Sequence, residues 1–183
     1  MKKILLVLAL MMNAVIMMAE DEHLKFKGVP IDGTLESVTQ KLEMLGFTRG
    51  ELLENVQILH GVFAGYNNCE IYVESINRKD LVHTIAVCFE TRHSWKQLFQ
   101  DYMNIKDLLV QKYGDPDEVI EQFNKSYPDE MKIIHLDECR YISIFNLDFG
   151  QIILNLTQTG FISLMYCDRE NIRLNHQSIL DDL

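Results

Sequence analysis

Residues 94–116 restrict the possible folds of this chain more than any other stretch, reading SWKQLFQDYMNIKDLLVQKYGDP. Apolar side chains recur there at spacings of three and four residues, the repeat of one helical face. They are Trp95, Leu98, Phe99, Tyr102, Ile105, Leu108, Leu109 and Tyr113. Ser94 can cap the first turn, and Gly114 followed by Pro116 ends the helix. The pattern predicts an amphipathic helix of about five turns, with Leu108 in the core, whose apolar face needs a sheet or another helix to cover it.

A second helix and several strands are predicted around this one. Leu35, Val38, Leu42 and Leu45 repeat at helical spacing, and Gly46 with Phe47 closes that segment. Strand-like runs follow each helix: 55–64, 69–76 and 81–90 after the first, and 140–147, 150–157 and 161–167 after the second. Residues 119–123 and 131–136 could each add a short strand. The tail 169–183 is polar and is expected to be at best partly ordered.

The order of these segments predicts an α+β fold built of two tandem α-βββ units, each a helix packed on an antiparallel sheet. The repeats would cover about residues 24–93 and 94–168. Cys88 and Cys167 fall at equivalent places in the two units. Residues 20–183 have a length typical of one domain, with the polar tail at its end.

The first nineteen residues have the pattern of a secretory signal peptide. Lys2 and Lys3 precede an apolar run, and Ala19 stands before an acidic stretch. Cleavage after Ala19 is therefore predicted. An uncleaved anchor is the alternative, but the run is shorter than the roughly 20 apolar residues that a span needs. We expect a periplasmic or secreted protein without a stable membrane span after cleavage.

The charge of the chain argues against nucleic acid as a partner. The formal net charge is −10 at pH 7, and removal of the two lysines of the signal peptide makes it more negative. An acidic surface repels phosphate backbones and anionic lipid heads. The charge is interpreted as a source of solubility.

Four segments carry a resemblance to a known group of proteins. They are FKGVPIDGTL at 26–35, GVFAGY followed by Cys69, KYGDP at 112–116, and the closing DDL. Together they resemble a family of small, exported, uncharacterised proteins of Gram-negative gut anaerobes, over about residues 23–183. That family brings no activity with it. The tandem units are also similar in topology to the β-lactamase inhibitor protein fold, which implies a concave sheet offered to a protein partner.

The period of two along a strand restricts which of the four cysteines can pair. Cys69 falls on the side of Ile71 and Val73, whereas Cys88 falls on the opposite side, which disfavours a bridge between them. Cys139 and Cys167 should lie at opposite ends of their sheet, beyond bridging distance. Pairs between the units or free thiols remain, and Cys69–Cys139 is the predicted disulfide. The spacings lack the paired cysteines of a structural zinc site, so no metal is predicted.

Glu70, Tyr72 and Glu74 share one face of a predicted strand and form an acidic-aromatic patch. A solvated sheet face and a binding face are both compatible with it. The two carboxylates would lie about 13 Å apart, too far for glycoside hydrolysis.

No nucleotide-binding, metalloprotease or hydrolase motif occurs in the chain, and no cofactor is predicted. The leading hypothesis is a non-enzymatic binding or inhibitor-like module that contacts a protein partner of the cell envelope through a sheet face. The alternative is a small periplasmic hydrolase using a histidine, His60 or His83, with a cysteine or aspartate.

Overall fold

The computed structural model describes residues 23–76, 79–123, 139–157 and 159–180. The predicted signal peptide and the optional strand at 131–136 lie outside these residues. The helices are α1 (Leu35–Met44), α2 (Trp95–Tyr113) and α3 (Arg169–Leu180). The strands are β1 (Lys25–Phe26), β2 (Val29–Pro30), β3 (Thr48–Leu53), β4 (Val56–Phe63), β5 (Tyr66–Ile76), β6 (Leu81–Cys88), β7 (Glu118–Phe123), β8 (Cys139–Leu147), β9 (Gly150–Leu156) and β10 (Ile162–Asp168).

Eight strands form one antiparallel sheet in the order β3-β4-β5-β6-β10-β9-β8-β7, and β1 and β2 form a small hairpin. The α+β class is thus confirmed. The strand count differs from the prediction, because within the described residues β3–β6 follow α1 and β7–β10 follow α2. β3 was missed because all six of its side chains are exposed and show no alternation, whereas β7 agrees with the optional strand at 119–123.

One face of the large sheet is covered by α1 and α2. The cross-strand row Leu59, Ile71, Val87, Leu164, Leu154 and Ser143 belongs to this covered face and is buried throughout. Val38 and Leu42 of α1 join the same hydrophobic core. Tyr102 of α2 is fully buried, and its hydroxyl lies 2.8 Å from the hydroxyl of Ser143. The helices therefore form one layer on one side of the sheet.

Helix α1 ends as its sequence predicts. Gly46 adopts φ +94°, and its N–H donates to the carbonyl of Glu43 at 2.9 Å. The N–H of Phe47 donates to the carbonyl of Leu42 at 3.3 Å. These two bonds are those of a Schellman motif, which supplies partners for the last helical carbonyls. Phe47 is buried and anchors the turn in the core.

Helix α2 confirms the predicted amphipathic segment but not all of its buried face. Leu98, Tyr102, Ile105 and Leu109 are its buried residues. Leu108 is 47 % exposed, whereas Leu109 is 5 % exposed, so the prediction of Leu108 as core is wrong. Neighbouring residues on a helix point about 100° apart, and only one of two adjacent leucines can face the sheet.

The polar tail is a helix from Arg169 to Leu180, contrary to the expectation of partial order. Asp168 caps it, because the N–H of Asn171 donates to its Oδ1 at 3.0 Å. The buried side chain of Asn171 donates to the carbonyls of Ile31 and Val82, at 2.9 Å each. One amide thereby joins α3 to the segment after β2 and to β6, which fixes the helix against the sheet.

The structure contradicts the predicted Cys69–Cys139 disulfide, since all four cysteines are free. Cys69 lies on β5 and Cys139 on β8, with β6, β10 and β9 between them. Four strand spacings of about 4.8 Å separate the two positions by about 19 Å, far beyond the ~7 Å limit between Cα atoms. The two halves of the sheet pair with each other through β6 and β10, the last strand of each half. Residues in the earlier strands of the two halves therefore lie far apart.

Candidate functional site

The face of the sheet opposite to α1 and α2, called here the open face, carries a continuous row of apolar side chains. Each member stands directly opposite the next on the neighbouring strand. The apolar row consists of Ile58, Tyr72, Ala86, Met165, Ile153 and Ile144. It crosses six strands, so its length is about 24 Å at about 4.8 Å per step.

The apolar row is neither core nor ordinary surface. Ala86, near its centre, is 7 % exposed. The other five side chains are half-buried, so each keeps part of its apolar surface accessible. Helix α3 lies against the first residues of β6, where Asn175 is 3.5 Å from Nε2 of His83. An apolar strip of this length that keeps contact with water is typical of a surface that meets another molecule.

A row of mostly polar side chains lies on each side of the apolar row. The acidic residues of these two polar rows belong to β5. Glu70 stands opposite Cys88, and Glu74 stands opposite Thr84. Together with Tyr72 they form the patch that the sequence indicated, and all three lie on the open face. The Tyr72 hydroxyl donates to Oε2 of Glu70 at 2.7 Å, and this bond, with burial, raises the pKa of Tyr72 to about 12. Tyr72 is thus a neutral phenol held toward one carboxylate.

Glu74 differs from Glu70 in its surroundings. Its side chain is half-buried, and within the described residues it forms no hydrogen bond and no ion pair. Burial raises its pKa, because a carboxylate removed from water disfavours the charged form. An ionised group that has lost hydration without gaining a partner is held at a free-energy cost.

A groove of about 330 Å³ lies at the Glu70 end of this surface. Its walls include Glu70, Tyr72, Cys88, Glu90 and Phe161. Glu90 accepts hydrogen bonds from the side chains of Asn68 and Arg92. The groove therefore combines aromatic rings with two carboxylates, one of which is already paired with a guanidinium.

The cysteines of the open face are not arranged for nucleophilic catalysis. Burial raises the pKa of Cys88 to about 11, and it also raises that of Cys167, so both thiols are protonated at neutral pH. Nδ1 of His83 contacts the Thr84 hydroxyl at 2.9 Å, and that hydroxyl is 3.9 Å from Sγ of Cys167. Burial lowers the pKa of His83. The histidine thus contacts a threonine rather than a thiol.

The other histidine of the hydrolase hypothesis lies elsewhere on the open face. His60 is exposed and stands opposite Glu70 on the neighbouring strand. A histidine–aspartate pair occurs at His23, whose Nδ1 is 3.2 Å from Oδ1 of Asp168. Asp168 also accepts from the N–H of Leu24 and from that of Asn171. Its carboxylate therefore joins the chain before β1 to the start of α3, which is a structural role.

Across the described part of the chain, no group of three or more histidine, cysteine, aspartate or glutamate side chains is placed to hold a metal ion. Helices long and apolar enough to cross a membrane are likewise not found among those residues. Comparisons with protein-family profiles, with curated proteins and with solved structures return no match to this chain.

Sequence reasoning found the acidic-aromatic patch but missed the apolar row beside it. The alternation within a single strand places Tyr72 between two glutamates. Recognising that Met165 and Ile153 extend the same row requires the pairing of β6 with β10, which joins residues far apart in sequence. The available signal was an isoleucine or methionine on the open face of each of these strands, at Ile144 in β8, Ile153 in β9 and Met165 in β10.

Proposed function

We propose that the protein is an exported binding module that docks one protein partner on the open face of its sheet. The observation that carries the proposal is the apolar row, which crosses six strands in direct register and whose side chains on five of them are only half-buried. Protein interfaces place such desolvated apolar and aromatic side chains at their centre, surrounded by a polar rim. The polar rows beside the apolar row supply that rim.

The charges on this face favour a partner that presents a lysine or arginine beside an apolar ridge. Glu70 and Glu74 flank Tyr72 on β5, and a chain of net charge −10 attracts cations over its surface. Glu74 is half-buried without an ion-pairing partner in the described residues, so a partner cation would offset the cost of its charge. Tyr72, half-buried between the two glutamates, adds an aromatic ring, a group that attracts cations.

A photo-crosslinking amino acid at position 153 tests this proposal. The matched control carries the same group at position 108, an apolar residue that is 47 % exposed on α2. In extracts of the source cells, we expect a protein adduct at position 153 and not at position 108. Glu74→Gln should weaken this adduct, because it removes the charge and leaves the apolar row in place. Equal adducts at both positions, or none at position 153, would contradict docking on the open face.

We propose further that the sheet arose from two copies of one unit. The mirrored strand order about the β6–β10 pair supports this, as does the equivalent placing of side chains on either side of that pair. A two-fold axis between Ala86 and Met165 relates Cys88 to Cys167 and Ile58 to Ile144. The unit would be a helix followed by four strands, with β3 and β7 as the outermost strand of each copy.

A further inference from the structure

A second concave surface lies at the end of the sheet where β8 turns into β9. It is a cleft of about 550 Å³ between the β1–β2 hairpin, the end of α2 and the β8–β9 turn. Its polar and apolar walls include Lys25, Lys27, Lys112, Tyr113, Leu147 and Phe149. The size is within the range of small-molecule sites, about 300–1,000 Å³.

The cleft gathers positive charge in a chain dominated by acidic residues. The sequence has 17 lysines and arginines against 27 aspartates and glutamates, yet three lysines from two distant segments line this one surface. Asp148 contributes a carboxylate to the lining, and His23 contributes its ring. Arg169 donates to the carbonyls of Asp148 and Leu147 at 2.9 and 2.8 Å, so a fourth cation holds the turn that forms one wall.

Two of the lysines are positioned by aromatic rings. Nζ of Lys27 lies 5.3 Å from the ring centre of Phe47, and Nζ of Lys112 lies 4.8 Å from that of Tyr113. Neither ammonium forms an ion pair with a carboxylate in the described ranges. A ring attracts the cation weakly and does not neutralise it. Both charges therefore remain available to an anion.

The remaining walls are apolar. Tyr113 and Leu147 are half-buried, and Phe149 is 40 % exposed at the tip of the β8–β9 turn. A large aromatic side chain at the tip of a turn leaves apolar area in water that a ligand could cover. The lysine-lined wall and the apolar wall together fit a molecule that has a negatively charged head and an apolar body.

We infer that this cleft binds a small amphiphilic carboxylate. The carboxylate binds at the lysine-lined side of the cleft, where Lys27 and Lys112 supply the positive charge, and the apolar body packs on Phe149 and Tyr113. The ion pairs fix the orientation of the ligand, since charge-assisted bonds to a carboxylate are the stronger contacts. The apolar wall selects against short anions, which gain nothing from it. This site is independent of the docking proposed for the open face.

Isothermal titration of the full chain with octanoate tests the inference. Acetate, which keeps the head, and 1-octanol, which keeps the body, are the matched probes. We expect octanoate to bind and both other probes to bind at least about tenfold more weakly. A tenfold difference in Kd corresponds to about 1.4 kcal/mol of binding free energy. Lys27→Gln with Lys112→Gln should weaken octanoate binding by about tenfold or more, and Phe149→Ser, at an exposed position, should also weaken it.

The control variant is Lys41→Gln, which removes one exposed lysine from the last turn of α1 and should bind octanoate like the wild type. Four results would overturn the inference. They are no heat of octanoate binding, octanoate affinity unchanged in the cleft variants, 1-octanol binding as tightly as octanoate, and acetate binding as tightly as octanoate. Should the double lysine variant fail to fold, Phe149→Ser carries the test alone.

Discussion

Replacing Asn171 by alanine tests the packing of α3 more directly than any other single change. The Asn171 side chain is 1 % exposed, and its amide donates to two backbone carbonyls, those of Ile31 and Val82. Alanine supplies no donor, so both carbonyls lose this partner in a place that water does not reach. Each buried acceptor left unsatisfied costs about 1–3 kcal/mol.

The expected loss follows from two such acceptors and one compensating gain. Alanine is the better helix former, by at most about 0.7 kcal/mol. The net decrease in the free energy of unfolding is therefore about 2–5 kcal/mol, a large part of the 5–15 kcal/mol typical of a domain. With a urea m-value of about 2 kcal/mol per molar, the middle of the usual range, the midpoint should fall by about 1–2.5 M.

Urea unfolding followed by far-ultraviolet circular dichroism measures this shift. Asn171→Asp is a second variant of the same shape, and at pH 7 it should lose at least as much stability because a carboxylate cannot donate to a carbonyl. The control is Asn175→Ala, one turn later, where the side chain is half-buried and lies 3.5 Å from Nε2 of His83. A midpoint for Asn171→Ala within about 0.3 M of the wild type would refute the reasoning.

Two further predictions concern α2 and the open face. Leu109→Ala should lower the free energy of unfolding by about 2–5 kcal/mol, whereas Leu108→Ala, at a 47 % exposed position, should change it by less than about 0.5 kcal/mol; equal losses in urea unfolding would reject the assigned buried face. Glu74→Gln should raise the melting temperature at pH 7. Burial raises the pKa of Glu74 in the folded state. Below the unfolded pKa of about 4.3 the protonated side chain therefore does not lower the free energy of unfolding. As pH rises from there through the folded pKa, the cost of ionising the buried carboxyl lowers that free energy. The advantage of glutamine should therefore vanish near pH 4, and an equal gain at pH 4 and pH 7 would speak against this cause.

Local signals in the sequence were sufficient for α1, α2 and most of the strands. The glycine at position 46 and the apolar residue after it determine the end of α1 without help from distant residues. The edge strand β3 gave no such signal, because its side chains are exposed on both faces. Helix α3 did carry a local signal, the capping Asp168 three residues before Asn171, but its attachment depends on the distant carbonyls of Ile31 and Val82.

The errors at the cysteines and in the binding surface have one physical origin. Period-two reasoning correctly separated Cys69 from Cys88, because it uses only the geometry of one strand and its neighbour. Pairing Cys69 with Cys139 required the order of strands across the whole sheet, which the residues of a single strand do not encode. The acidic-aromatic patch was local and was found, whereas the apolar row depends on the joint between β6 and β10.

Because β6 pairs with β10, the sheet cannot be completed until the last part of the chain has been synthesised. β6 ends at Cys88 and β10 begins at Ile162, so the ribosome must add roughly 75 residues, about 4–15 s of translation, before β6 can pair on its second side. Six successive residues of β6, 82–87, four of them apolar, are buried in the finished protein, and until then they present an unpaired strand edge. A neighbouring nascent chain offers the same strands, and the product to expect from crowded polysomes is a dimer in which each β10 completes the sheet of the other chain.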